Sequence, residues 1–476
     1  MKLALIGGGG VRSPLFVASA LRRAERVGLE ELCLMDTDAE KLAIFGELCR
    51  EVARRAESDV RITTTTDPHA ALDGAAHVVT TIRVGGEQGR VLDERIALRH
   101  GVLGQETTGP GGFAMALRSI PAILNYAELL EKASPGAWLF SFTNPAGLVT
   151  QALRDAGFER TIGICDGANV GHQAVADWLK VDPKRLRAEV FGLNHLSWTR
   201  RVLLDGQDVL APLLGDPGFR AATSLAMFAP ELVERIGMWL NEYLYYYYYA
   251  EQAVEAISRD EKTRGEEIVE LNARLLDQLR AIDVTRDPAA GLRAFYTYQN
   301  RRHATYMHYA QPDAPSMAEA DQQDFRLQIA DLRLEDDQSA INNLQSAMEM
   351  GEGYAGVALG IIEALETGEP LYTALNVPNA GAIDGMRPDD MVEVSCVVDR
   401  DGVRTLPIGA IPEPQSLLMR QIKLYERLTV EAIAKRSRDT AVAALMAHPL
   451  VLSYSRARPL VDEYLQAHKP YVGEWH

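Results

Sequence analysis

The chain has 476 residues, 47% of them apolar and 24% charged, which is enough for two or three globular domains with a large core. Its formal charge of −17 excludes nucleic acid and an anionic membrane surface as main partners. Cys33, Cys49, Cys165 and Cys396 lack paired spacing, and no apolar run has membrane length or the form of a signal peptide, so a soluble protein of a reducing cytoplasm is expected.

In chain order, residues 2–6 form a short apolar run, hence a buried strand. Gly7-Gly-Gly-Gly10 follows, then a helix over 14–23 and a second buried strand over 32–35 that ends at Asp36. Strand, glycine turn, helix, strand and acid form the dinucleotide-binding layout. Gly7 and Gly9 fill the first two glycine positions, Gly10 lies beside them, and Arg12 stands at the third. Asp36 is placed to take ribose hydroxyls, which favours NAD over NADP; the alternative is an α/β turn without a nucleotide. Alternation continues with a helix over 41–56, a strand over 60–64, a short helix over 68–72 and strands over 77–82, 138–142 and 161–165. Ligands of open α/β sheets sit at the carboxyl ends of strands, where Arg83, Asn144, Cys165 and Asp166 fall. Residues 1–198 therefore read as a Rossmann-like, doubly wound α/β domain, and 199–476 as a larger α+β domain for substrate and oligomer contacts, the arrangement of lactate and malate dehydrogenases.

Between two helical stretches lies Val102-Leu-Gly-Gln-Glu-Thr-Thr-Gly-Pro-Gly-Gly-Phe113, a loop whose glycines present free N–H groups at the start of a helix. It carries Glu106 and is flanked by Arg95, Arg99 and Arg118, a mixture suited to an anionic, polyhydroxylated small molecule. Further on, Cys165 ends a strand and His195 follows another. Thiolate and imidazole at neighbouring strand ends could hold a transition metal, although on spacing alone a buried thiol and a hydrogen-bonded imidazole are the commoner reading. Residues 228–257 and 264–282 read as helices, the first carrying Asn241-Glu-Tyr-Leu-Tyr-Tyr-Tyr-Tyr-Tyr249. A tyrosine there is a base only if a metal or cation lowers its pKa; packing is the plainer reading for any one of them. Residues 283–311 are dense in Arg, His and Tyr, 316–337 are polar and acidic and expected to be mobile, and 341–366 are helical with an early break at Met348-Glu-Met-Gly-Glu-Gly353. An Asp-Gly hairpin over 391–406 and helices over 416–434 and 438–447 complete the chain.

Ile6-Gly-Gly-Gly, Arg90-Val-Leu-Asp-Glu-Arg-Ile-Ala-Leu, Gly104-Gln-Glu-Thr-Thr-Gly-Pro-Gly-Gly, Phe142-Thr-Asn-Pro-Ala-Gly147, Gly192-Leu-Asn-His195, the tyrosine run and Leu375-Asn-Val-Pro-Asn-Ala-Gly-Ala-Ile383 together resemble glycoside hydrolase family 4, the NAD- and manganese-dependent glycosidases, with most likeness to the 6-phospho-β-glucosidase branch. The resemblance implies oxidation at the sugar C3 by NAD, removal of the C2 proton, elimination of the C1 leaving group, water addition and re-reduction. It implies Cys165 and His195 as ligands of Mn²⁺ or another divalent transition metal and Tyr243 as the base. Gly7, Gly9, Gly10, Asp36 and Arg83 are assigned to the cofactor, Glu106, Asn144 and Asn194 to the sugar or the metal surroundings, and Arg95 to a 6-phosphate. A homodimer or homotetramer is expected. Arg12 replaces a usual aromatic, and Cys165-Asp-Gly-Ala168 matches neither the β-type nor the α-type motif. Asp166 is thus a candidate leaving-group acid, as in α-type members, and anomeric preference stays open, as does a C6-sulfonated, carboxylated or unmodified substrate. From other classes, an NAD-dependent dehydrogenase and a non-catalytic NAD sensor remain alternatives.

Overall fold

A computed structural model describes residues 1–260, 262–310 and 353–476. The polar stretch at 316–337 and the early break near Met348 lie outside the described residues; Gly353–Thr367 is helical.

Six short strands alternate with helices: β1 (Lys2–Ile6), β2 (Glu31–Met35), β3 (Arg61–Thr65), β4 (Ala75–Thr80), β5 (Trp138–Ser141) and β6 (Thr161–Gly163). They pair in parallel in the order β6-β5-β4-β1-β2-β3, the doubly wound dinucleotide order. The inner strands are continuous apolar runs because helices cover both faces; Leu3, Ala4, Leu5 and Ile6 are all buried. The helix Ala39–Arg55 shows how one cover forms. Asp38 caps it by accepting from Lys41 N, and Leu42, Phe45, Leu48, Cys49 and Val52 recur at helical spacing on its buried face.

The second half of the chain does not fold apart from this sheet. The hairpin foreseen from its Asp-Gly turn is β12 (Met391–Asp399) and β13 (Gly402–Thr405), and with β11 (Leu371–Pro378) it extends the sheet beyond β6 in antiparallel sense. Asn376 pairs with Gly163, and a Cβ at Gly163 would lie 2.8 Å from the Asn376 Cβ, so this join requires glycine. A smaller antiparallel sheet is built from β7 (Leu186–Leu193), β8 (Leu196–Leu204), a short β9 (Gln207–Asp208) and β10 (Trp239–Leu240). β8 runs through residue 198. The sheet is tied to β12 where Ser395 Oγ accepts from Val190 N at 2.7 Å and donates to Ala188 O at 2.8 Å.

The continuous helix expected over 228–257 is a correction. The segment divides into Pro230–Ile236, β10, a short turn, Tyr245–Tyr248 and Ala250–Arg259. Gly237, in the left-handed conformation, ends the first helix, and Trp239 and Leu240 then pair with Thr199 and Trp198. Among the described residues no helix is long and apolar enough to cross a membrane.

Candidate active site

A deep cleft opens at the carboxyl ends of β1 and β4, where the winding direction of the sheet reverses. At one end lies the glycine turn. Gly7 N and Gly8 N both donate to Met35 O at 2.8 Å, which presses the turn against β2. A Cβ on Gly8 would sit 2.7 Å from that of Leu34, and one on Gly9 would sit 3.0 Å from the Asp36 carboxyl. Asp36 accepts from Gly9 N at 3.0 Å through Oδ2 and from Asp38 N at 3.0 Å through Oδ1. Gly7, Gly9, Gly10, Asp36 and Arg83 all line the cleft. A bare turn beside an acid, with backbone at its surface, fits a dinucleotide.

The middle of the cleft is a charged wall. Glu106, from the glycine-rich loop, pairs with Arg83 Nη2 at 2.6 Å and Arg90 Nη1 at 3.4 Å. Burial alone would raise its carboxyl, but Arg83 and Arg90, with Arg12 behind them, hold it far below the usual carboxylate range. Arg83 Nη1 is buried without a protein partner, a donor available to a ligand. Arg12 and Arg302 add two guanidiniums to the cleft lining. Burial and the nearby Arg12 charge lower the Arg302 pKa, and an anion would relieve that crowding.

Arg95 is a correction. It does not line the cleft, and its guanidinium is engaged by Glu266, with Nε 2.8 Å from Oε1. On the helix Gly86–Arg99, five residues advance about 140° beyond a full turn, so Arg90 and Arg95 cannot share a face.

The reactive end gathers three stretches. Cys165 and Asp166 follow β6 and enter the turn Gly167–Asn169. His195 sits at the tip of the β7–β8 hairpin with φ of +62°, a left-handed conformation uncommon for a residue with a side chain. Tyr243 follows β10, and Asn241 fixes its approach: Asn241 Oδ1 accepts from Tyr243 N at 3.0 Å while Nδ2 donates to Ser197 Oγ at 3.1 Å. The Tyr243 ring stacks on the His195 imidazole with centroids 3.5 Å apart and planes within 5°. Gly167 packs between the groups, and its added Cβ would lie 3.2 Å from Tyr243 Cε2 and 3.7 Å from Cys165 Sγ. Asn144 and Asp166 also line this end.

Burial biases all three groups toward their neutral forms. Burial, then the Glu393 and Asp166 carboxylates, push the Cys165 thiol well above its ordinary range. Burial pushes the His195 imidazole down to about 3 and raises the Tyr243 hydroxyl, to which Tyr306 adds. His195 Nδ1 is buried with no protein partner. A neutral imidazole and a thiol that can ionise are suited to a divalent transition metal, which deprotonates a coordinating thiol and acidifies nearby groups. Among the described residues no three His, Cys, Asp or Glu side chains form a metal cluster, so a metal held by Cys165 and His195 would keep positions open for substrate oxygens.

Asn194 stands one layer behind the cleft. Its Nδ2 donates to Glu393 Oε1 at 3.4 Å, which also accepts from Asn376 Nδ2 at 3.1 Å. Burial pushes Glu393 up to about 7, and Glu242, lining the cleft beside Tyr243, is raised to about 7 by burial and then Asp166. Neither carboxylate was foreseen. For Glu393 a signal existed, since Met391-Val-Glu-Val-Ser is an acid within an otherwise apolar strand.

The profile of the family 4 glycosyl hydrolases matches residues 2–181, and that of the family's C-terminal domain matches residues 190–451. The chain is 31% identical over 488 residues to a probable 6-phospho-β-glucosidase of Bacillus subtilis, covering 100% of this chain and 98% of that one. It is 29% identical to 6-phospho-α-glucosidase 1 of Lacticaseibacillus paracasei, covering 99% and 98%. The structure is similar to that of the Thermotoga maritima 6-phospho-β-glucosidase with manganese, NAD⁺ and glucose-6-phosphate: TM-score 0.79, 27% identity, 99% of each chain covered.

Proposed function

The chain belongs to family 4 of the glycosyl hydrolases, and on that premise we propose that it hydrolyses 6-phospho-β-glucosides using NAD and a divalent metal, manganese in the first instance. The observation that carries this reading is the meeting of Cys165, His195 and Tyr243 in the same cleft as the glycine turn and Asp36. When bound, NAD takes up and returns a hydride, and the metal acts as a Lewis acid on sugar oxygens.

The protein's own groups do the rest. Gly7, Gly9 and Gly10 let the dinucleotide approach the backbone, Asp36 accepts from ribose hydroxyls, and Arg83 donates through its unpartnered Nη1. Cys165 and His195 would hold the metal. Tyr243, fixed by its stack on His195, removes the sugar C2 proton. Asp166 donates a proton to the departing oxygen. Glu106 and Asn144 orient sugar hydroxyls, while Asn194 bears on the sugar end from behind the thiol. Arg12 and Arg302, in place of Arg95, bind the C6 phosphate. Residues 1–198 carry the nucleotide turn and most of the named site residues, and 199–476 add Tyr243 and Arg302 to the cleft and β11–β13 to the same sheet, so residue 198, inside β8, is no fold boundary. The four buried, unpaired cysteines support a cytoplasmic setting. Exposed Leu417 and Leu424, seven residues apart on the helix Glu413–Lys435, support a homodimer or homotetramer.

One observation favours a second reading. Asp166 follows the thiol and lines the cleft, so 6-phospho-α-glucosides are the alternative substrate. The deciding assay is a panel of α- and β-nitrophenyl glucosides, with and without 6-phosphate, given NAD and Mn²⁺ under reducing conditions. The β-6-phosphate should turn over fastest; net NADH release without glycoside cleavage would instead mark a dehydrogenase.

A further inference from the structure

Behind the reactive end lies a second, separate cavity with about 20 Å³ of room for water centres. It is lined by Thr107 from the glycine-rich loop, Asn194 from the hairpin tip, and Tyr425 and Glu426 from the helix Glu413–Lys435. These side chains are 8%, 9%, 3% and 5% exposed. Thr107 Oγ1, Asn194 Oδ1 and Tyr425 OH find no hydrogen-bond partner in the protein, and Glu426 Oε2 meets only the Lys423 ammonium. Buried polar atoms are nearly always satisfied, so three unsatisfied ones on residues around one cavity mark an occupant.

We propose that this cavity binds a single water molecule that fixes the Asn194 amide behind the metal ligands. Its size suits one water, which needs roughly 10–15 Å³ and two to four polar partners. The partners also match in kind. The two hydroxyls can donate and the amide carbonyl can only accept, so one water completes all three and has a second proton to give to the lone pair that Lys423 leaves on Glu426. A monovalent cation would leave both hydroxyl protons without acceptors, and Lys423, itself buried, already neutralises Glu426. With Oδ1 held from this side, Nδ2 is turned toward Glu393 Oε1 and the Cys165 thiol. Thr107 adjoins Glu106, so the same water ties the sugar-contacting loop to the hairpin that carries His195. Thr107, Tyr425 and the water are positioning groups, acting through Asn194.

The coupling to the metal rests on the assignment of Cys165 and His195, and the experiment has two arms for that reason. In the first, a crystal structure of the full chain that resolves ordered solvent, grown in rubidium buffer, should show one solvent peak in the cavity without anomalous signal. An empty cavity, or a rubidium peak, overturns the water. In the second, free Mn²⁺ is counted by electron paramagnetic resonance over Thr107→Val, Tyr425→Phe and Thr107→Ser. Loss of one hydroxyl should weaken manganese binding about fivefold, NAD binding should stay unchanged, and Thr107→Ser should bind as the parent does. Parent-like manganese affinity in both hydroxyl-less variants overturns the positioning role. A parent protein that binds no manganese overturns the metal assignment itself, while the solvent peak still decides the water.

Discussion

Replacing Arg302 by methionine separates the two placements of the 6-phosphate. Arg302 lines the cleft beside Arg12, and burial together with that like charge already makes its cation costly. A phosphate there gains a charge-assisted hydrogen bond, worth roughly 1.5–3 kcal/mol, so kcat/KM for a nitrophenyl 6-phospho-β-glucoside should fall roughly 10- to 150-fold. Turnover of the unphosphorylated glucoside, however slow, should change far less, because it lacks the anion. Arg95→Met is the control. Its partner Glu266 belongs to the N-terminal capping box of the helix Arg264–Ile282, and the Arg95 and Glu266 side chains are 38% and 28% exposed. A pair so exposed contributes about 0–1 kcal/mol to stability and nothing to substrate choice. Initial rates against both substrates, with melting temperatures to exclude unfolding, read out the difference. The reasoning is refuted if Arg95→Met loses the phosphorylated substrate selectively while Arg302→Met keeps it.

Three further outcomes are expected. Cys165→Ser should retain the fold and NAD binding but lose manganese-dependent turnover, since a serine hydroxyl does not ionise as a thiol does; full activity in that variant would remove the thiol from the metal site. Tyr243→Phe should form bound NADH yet neither exchange a C2 deuterium with solvent nor release aglycone; exchange at the parent rate would move the base elsewhere along the tyrosine run. For metal-free protein, His195 and His448 are both pushed down to about 3 by burial. A depressed imidazole gives stability fully present above the unfolded value, roughly 6.5, and lost as pH falls toward about 3. Glu242 and Glu393, raised to about 7, add stability as pH falls over part of that window, so the imidazole contribution is read by difference: from neutral pH to pH near 4 the urea midpoint of the parent should fall further than that of His448→Asn, and parallel profiles would contradict a buried neutral imidazole at 448.

What was legible in the chain was local. The glycine turn, the helix Ser13–Leu21, β2 and Asp36 follow one another within a single βαβ unit, so periodicity and turn chemistry reach them directly. Cys165, Asp166, Asn144 and Arg83 were placed because strand ends can be read from where apolar runs stop. Three things were beyond reach for one reason, that they are decided across distance. The tyrosine run looks helical by composition, but a two-residue pairing of Trp239 and Leu240 with β8 breaks it and aims Tyr243 at His195. Arg95 stands near the glycine-rich loop in sequence, yet the rotation of its helix turns it to Glu266. Glu393 stands out as an acid in an apolar strand, but the site it joins does not, because β12 pairs into a sheet begun more than two hundred residues earlier.

That last join also governs how the protein can be made. Until β11 emerges from the ribosome, β6 is an open edge, with free N–H and C=O groups beside a nearly finished hydrophobic sheet. The nascent nucleotide half must wait for residues 371–378 before its border closes, and such waiting exposes chains to aggregation and to chaperones. A fragment ending at residue 198 keeps that border open permanently. It should express as inclusion bodies unless a peptide spanning β11 to β13 is supplied in trans. The hairpin that bears His195 has the same dependence, since Glu393 and Ser395 brace it from a strand synthesised long after it.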